Sequence, residues 1–84
     1  MENKTRITQE LLQKNGFTLI HTGAFLEATK GPKMDYHISV YFRRKITVII
    51  SAYLQEASLE MPMEYMQELQ QAMNLLKIDK KLQL

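Results

Sequence analysis

The chain has 84 residues, 45% of them apolar and 24% charged, with a formal net charge of +2 at pH 7. These values exclude a disordered chain or a fibre, and the length suits one hydrophobic core, so residues 1–84 read as a single domain. The absence of cysteine excludes a disulfide framework, a thiolate nucleophile and cysteine-based zinc sites, so that packing alone must hold the fold.

The polar start Met1-Glu2-Asn3-Lys4-Thr5-Arg6 lacks the apolar stretch of about 7–15 residues that a secretory signal requires. The longest apolar run, Ile46 to Leu54, is far shorter than the ~20 residues of a membrane helix and is interrupted by threonine and serine. A cytoplasmic location is the expectation that follows.

Thr8 is placed to cap a helix running from Gln9 to Lys14, with Ile7 and Leu12 as a hydrophobic staple across its start. Asn15-Gly16 closes it, the glycine supplying the left-handed residue. Two turns of helix do not persist alone in water, so Leu11 and Leu12 must dock on another element. Phe17 to His21 is β-prone, Thr22-Gly23 turns the chain, Ala24 to Thr29 returns as a second strand, and Gly31-Pro32 breaks it.

From Met34 to Phe42 the sequence alternates: Met34, Tyr36, Ile38, Val40 and Phe42 share one face, and Asp35, His37, Ser39 and Tyr41 the other. Ile46, Val48, Ile50, Ala52 and Leu54 repeat the pattern against Lys45, Thr47, Ile49, Ser51 and Tyr53. Both apolar rows carry even numbers. Opposed residues of an antiparallel hairpin share a face and their numbers add to a constant, so placing both rows on one face demands an odd-length loop. The expectation is a three-residue loop, Arg43-Arg44-Lys45, or an equivalent bulge, with Phe42 opposite Ile46 and Ile38 opposite Ile50. Loops of this length commonly end in a left-handed residue, which assigns that conformation to Lys45.

Pro62 suits the first position of a second helix, because its missing N–H would be unpaired there. Tyr65, Met66, Leu69, Ala72, Met73 and Leu76 form the apolar stripe of that helix, and Glu64, Gln67, Glu68, Gln70, Gln71 and Asn74 its polar side, to about Lys77. Met66 and Met73 read as core, whereas Met61 and Met63 beside the helix start are contact candidates. Ile78, Leu82 and Leu84 can pin the short tail to the domain. The expected fold class is α+β, a two-layer sandwich. It comprises a short N-terminal helix, a three- to four-stranded antiparallel meander and a longer C-terminal amphipathic helix.

Little in this pattern carries chemistry. Asp35-x-His37 places a carboxylate and an imidazole on one strand face, but no third member accompanies them. No catalytic residue, metal ligand or cofactor is assigned, and the chain reads as a non-enzyme. Arg43, Arg44 and Lys45 are candidate phosphate contacts, with Lys30 and Lys33 in support. Residues 1–45 hold eight basic and four acidic side chains against three and five in 46–84. The same basic run also suits a solvated turn that discourages edge-to-edge association.

The helix, three strands, helix order is that of double-stranded-RNA-binding domains. Where those present lysines to the backbone, however, this chain has Pro62-Met63-Glu64-Tyr65 and then Glu68, so the similarity stays topological. The odd-numbered strand face is more apolar than solvation requires. His37, Tyr41, Ile49, Ser51 and Tyr53 form a candidate interaction face for a second copy or another protein. The strand Thr47 to Tyr53 does not match the aromatic signature with which RNA-recognition motifs stack bases.

Leu12…Asn15-Gly16-Phe17, with Tyr65-Met66-Gln67-Glu68-Leu69-Gln70-Gln71-Ala72 and Leu76-Lys77-Ile78-Asp79-Lys80-Lys81-Leu82, resembles small proteins encoded on phages and integrated mobile elements of Bacteroides-type bacteria. The resemblance implies a short α+β protein with no assigned activity. The functional expectation is a non-enzymatic interaction module of such a system, a homodimer or accessory subunit. The alternative is weak nucleic-acid binding through Arg43, Arg44 and Lys45.

Overall fold

Thr8 caps the first helix as its position demands. In the computed structural model, which describes residues 4–28 and 35–84, the Leu11 N–H donates to the Thr8 hydroxyl at 3.2 Å and α1 spans Gln9–Lys14. Gly16, at φ +90°, then lets the Phe17 N–H reach back to the Leu12 carbonyl at 2.9 Å. Leu12 and Phe17, the two ends of that bond, are both buried, which is the apolar closure that accompanies such a helix end.

Five strands follow: β1 (Thr18–His21), β2 (Ala24–Ala28), β3 (Tyr36–Phe42), β4 (Ile46–Ala52) and β5 (Ala57–Pro62), and then α2 (Met66–Leu75). They form one antiparallel sheet in the order β1-β2-β3-β4-β5, so the fold is α+β. Phe42 stands opposite Ile46 and Ile38 opposite Ile50, the register that parity requires of a three-residue Arg43-Arg44-Lys45 loop. Lys45 is not left-handed, contrary to expectation. Among the described non-glycine residues only Glu56 and Lys77 have positive φ. A Cβ disfavours that region, and three successive bends at residues 43–45 make the turn instead.

The meander therefore has five strands, not three or four. In β5, Ala57, Leu59 and Met61 alternate with Ser58, Glu60 and Pro62, setting Leu59 opposite Ile50 and Met61 opposite Val48. Pro62 ends this edge strand and does not start a helix. The Met63 N–H donates to the Ile46 carbonyl at 2.9 Å, so odd-numbered residues of β5 turn their backbone groups toward β4. The N–H that Pro62 lacks would have pointed away from the sheet, so proline breaks no ladder bond there. Met61 accordingly lies in β5, and Met63 is buried.

The second helix begins at Met66 without a serine, threonine, aspartate or asparagine cap. The Glu68 carboxylate accepts the backbone N–H groups of Glu64 and Tyr65, both at 3.0 Å, and so holds the helix start from its third position. The helix ends at Leu75, short of the expected Lys77. Lys77 takes φ +59° and the Ile78 N–H returns to the Met73 carbonyl at 2.9 Å, repeating the closure of α1 without glycine. Tyr53 and Leu54 fall in the turn after β4 instead of extending it. The Tyr53 N–H donates to the Asp35 carbonyl at 3.0 Å, and Glu56 at φ 51° completes the reversal.

Both helices pack on one face of the sheet. Ile38, Val40, Val48 and Ile50 are fully buried there with Phe25, Leu12, Met66, Leu69 and Met73. In β2 the core face is odd-numbered, because Phe25 pairs with Val40, and the Phe25 ring meets Phe42 edge-on at 5.7 Å. The N-terminal segment is bonded to the start of α2. Ile7 N–H donates to the Glu64 carbonyl at 2.9 Å and Met66 N–H to the Thr5 carbonyl at 2.7 Å.

The tail is held by side-chain amides that act like backbone. Asn15 bonds both the N–H and the carbonyl of Gln83, at 2.6 and 2.9 Å, and Gln70 bonds the Lys80 carbonyl and the Leu82 N–H, at 2.9 and 2.7 Å. Ile78 is buried and Leu82 half-buried, whereas Leu84 is exposed. No helix among the described residues is long and apolar enough to cross a membrane. Lys30, Lys33, Met34 and the Gly31-Pro32 break lie outside the described residues.

Candidate functional site

The pairing that puts the even rows of β3 and β4 under the helices turns their odd rows to the opposite side. Across the sheet, one row of that side runs Thr18, Leu26, Ser39, Ile49, Glu60. The next runs Ala24, Tyr41, Thr47, Pro62, and a third runs His37, Ser51, Ser58. No described element lies over these rows. Ser39 is nonetheless only 6% exposed and Ala24 only 1%, because small side chains on a sheet sit below the tops of larger neighbours. Leu26, Tyr41 and Ile49 are the larger neighbours, each half-buried. The centre of the face is thus a relief of ridges and troughs, with the Arg43 guanidinium over the Tyr41 ring toward the β3–β4 loop and Glu60 on the edge strand β5.

His37, Tyr41, Ile49 and Ser51 are brought together here as the alternation implied. Tyr53 is not, since it is exposed in the turn beyond β4. Leu26 and Ala24 escaped the sequence reading because their face depends on the pairing of β2 with β3. Asp35 precedes β3, and among the described residues no three histidine, aspartate or glutamate side chains gather as metal ligands.

Arg43, Arg44 and Lys45 are all exposed at the β3–β4 loop, but they point to different uses. The Arg43 guanidinium lies over the Tyr41 ring at 4.8 Å. Arg44 and Lys45 line a cleft of about 550 Å³ with Arg6, Ile46, Pro62, Met63, Glu64 and Glu68. Arg6 was missed by sequence reasoning, and no local signal reveals it, since a 58-residue gap separates it from its partner Glu64.

A second feature missed from sequence lies within the covered face. Glu27 shares the core side of β2 with Phe25, where its carboxylate meets Lys80 Nζ at 3.2 Å and accepts the Tyr36 hydroxyl at 3.1 Å. Its other oxygen is buried without a partner among the described residues. Lys80 also donates to the Asn15 carbonyl at 2.8 Å and lies over the Phe17 ring at 6.0 Å. Burial, the bond to Glu27 and the charges of Glu27 and Asp35 hold the Tyr36 hydroxyl above the usual phenol range. The cluster ties the tail to the sheet. A carboxylate in step with Phe25 on an apolar row was its sequence signal.

The geometry therefore defines a small α+β meander with a sheet face that no described element covers and a cleft lined by Arg6, Arg44 and Lys45 with Glu64 and Glu68. Compared with known protein families, with curated proteins and with solved structures, the chain matches none.

Proposed function

We propose that the chain is a non-enzymatic interaction module that self-associates by stacking the open sheet face on that of a second copy. The observation that carries this reading is the packing of both helices on one side, which leaves Leu26, Tyr41 and Ile49 around a neutral centre on the other. Charge is absent at Leu26, Ser39 and Ile49, where an interface core requires it, and the cation nearest them on this face, Arg43 over Tyr41, lies toward the β3–β4 loop.

At strand spacings of about 4.8 Å and rises of about 3.3 Å per residue, five strands offer roughly 500 Å² per copy. Two copies then bury about 1,000 Å², the lower limit for a specific interface, so the dimer is a weak one that forms with rising concentration. Two sheets stacked about 10 Å apart in this way make a sandwich. The resemblance to short proteins of phages and mobile elements supports an accessory subunit in such a system as the setting.

Sedimentation of the wild type over a concentration series tests the proposal. Dimer is expected at high concentration, and Ile49→Asp should remain monomeric throughout with an unchanged folded spectrum. A wild type that stays monomeric across the series, or an Ile49→Asp variant that dimerises equally well, overturns it.

A further inference from the structure

Two adjacent cations of one loop meet a third from far away in the chain at one end of the molecule. Arg44 and Lys45 come from the β3–β4 loop, and Arg6 from the N-terminal segment that the Ile7–Glu64 backbone bond holds beside it. We propose that the cleft they line with Ile46, Pro62 and Met63 is a phosphate-binding site for a small phosphorylated ligand.

The placement of the cations is built into the backbone. Met63 is fixed to Ile46 by its N–H, and Glu64 to Ile7 by its carbonyl, so the loop end, the β5 exit and the N-terminal segment form one hydrogen-bonded rim. Arg44 and Lys45 have no acidic partner among the described residues, and the Arg43 guanidinium is occupied elsewhere over Tyr41. Two carboxylates share the rim, so three cations face two anions there, and each carboxylate is already bonded. One Glu68 oxygen accepts two backbone N–H groups, and Glu64 pairs with Arg6 at 3.3 Å. The Arg6–Glu64 pair is exposed on both sides, and such pairs are weak and easily exchanged.

A phosphate carries more negative charge than the singly bonded Glu64 carboxylate and can take two guanidinium N–H groups at once, so it displaces Glu64 from Arg6 while Arg44 and Lys45 close on its other oxygens. Ile46, Pro62 and Met63 give the floor an apolar surface for the organic part of an ester. A volume of about 550 Å³ is in the range of small-ligand pockets.

Backbone-amide NMR titration of the full chain with pyrophosphate, with AMP and with a single-stranded oligonucleotide tests this and separates the sources of phosphate. Shifts are expected at Arg44, Lys45, Ile46 and Glu64 with pyrophosphate, extending to Met63 with AMP. Affinity should fall at least tenfold in Arg44→Ala/Lys45→Ala, and these exposed substitutions leave the fold intact. Glu64→Gln should bind several-fold tighter, a gain that a purely structural role for Arg6–Glu64 would not give. Binding confined to the oligonucleotide overturns the small-ligand site in favour of contact along the loop. No shift with any probe, or affinity unchanged in the double variant, overturns it entirely.

Discussion

Ile49 and Ile50 are the same residue in the same strand, yet Ile50 is fully buried among Leu12, Met66 and Leu69 while Ile49 is half-buried on the open face. The covered face excludes water by adding a second layer of aliphatic side chains. The open face does so partially, using its own relief, with Ser39 and Ala24 sheltered by Leu26, Tyr41 and Ile49. A sheet can therefore bury small residues without a covering layer, and what remains exposed is the tops of the large ones. Those tops are the part of the surface that gains from a partner.

The adjacent isoleucines provide the largest test of this difference. Ile50→Asp removes a buried aliphatic side chain and leaves an unpaired charge, costing more than about 3 kcal/mol, a large part of a small domain's stability. Loss of cooperative urea unfolding is expected. Ile49→Asp should leave the monomer within about 1 kcal/mol of wild type in the same experiment. Equal losses at the two positions would mean that the open face is covered after all.

An intermediate effect is expected where the covered side is sealed by its tail. Asn15→Ala removes bonds to the Leu11 carbonyl and to both backbone groups of Gln83, which should lower stability by about 1–3 kcal/mol and speed amide exchange at Gln83 and Leu82. Amides on the open face, at Ser39 and Ile49, should retain their protection.

The smallest effect concerns the one polar cluster on the covered face. The folded state favours the neutral Tyr36 hydroxyl and raises its pKa, so the unfolded chain loses that proton first as pH increases. The contribution is complete below about pH 10, where an ordinary phenol begins to ionise, and is lost progressively above it. Urea midpoints measured between about pH 8 and 11 should fall at the alkaline end for wild type and fall less for Tyr36→Phe.

The hairpin at the centre of the sheet was legible because parity is arithmetic. Even rows on one face exclude every odd sum, among them the two-residue loop, and the structure has the register of the three-residue loop. The first helix was legible because Thr8, Asn15 and Gly16 are local signals with local causes. Pro62 misled because it suits both a helix start and an edge strand, and only the pairing of Met61 with Val48 decides between them. The capping glutamate Glu68 stood in the sequence three residues after Tyr65, but without a hydroxyl or Asx cap ahead of it the helix start was not visible. The odd-numbered face was legible in part. Ile49 and Tyr41 follow from alternation, whereas Leu26 needed the register of β2, and Arg6 a closure between the ends of the chain.

Each strand of the meander pairs only with its neighbours in sequence, so the sheet can assemble by successive short loop closures of small entropic cost. The bonds that need the whole chain, such as Thr5 to Met66, Ile7 to Glu64 and Asn15 to Gln83, span up to 68 residues and must come after the sheet is in place. The expected order of assembly is a zipper of neighbouring strands followed by a latch between distant segments. Because the N-terminal segment, the end of α1 and the tail share that latch, the two chain ends should open together, ahead of the strands between them.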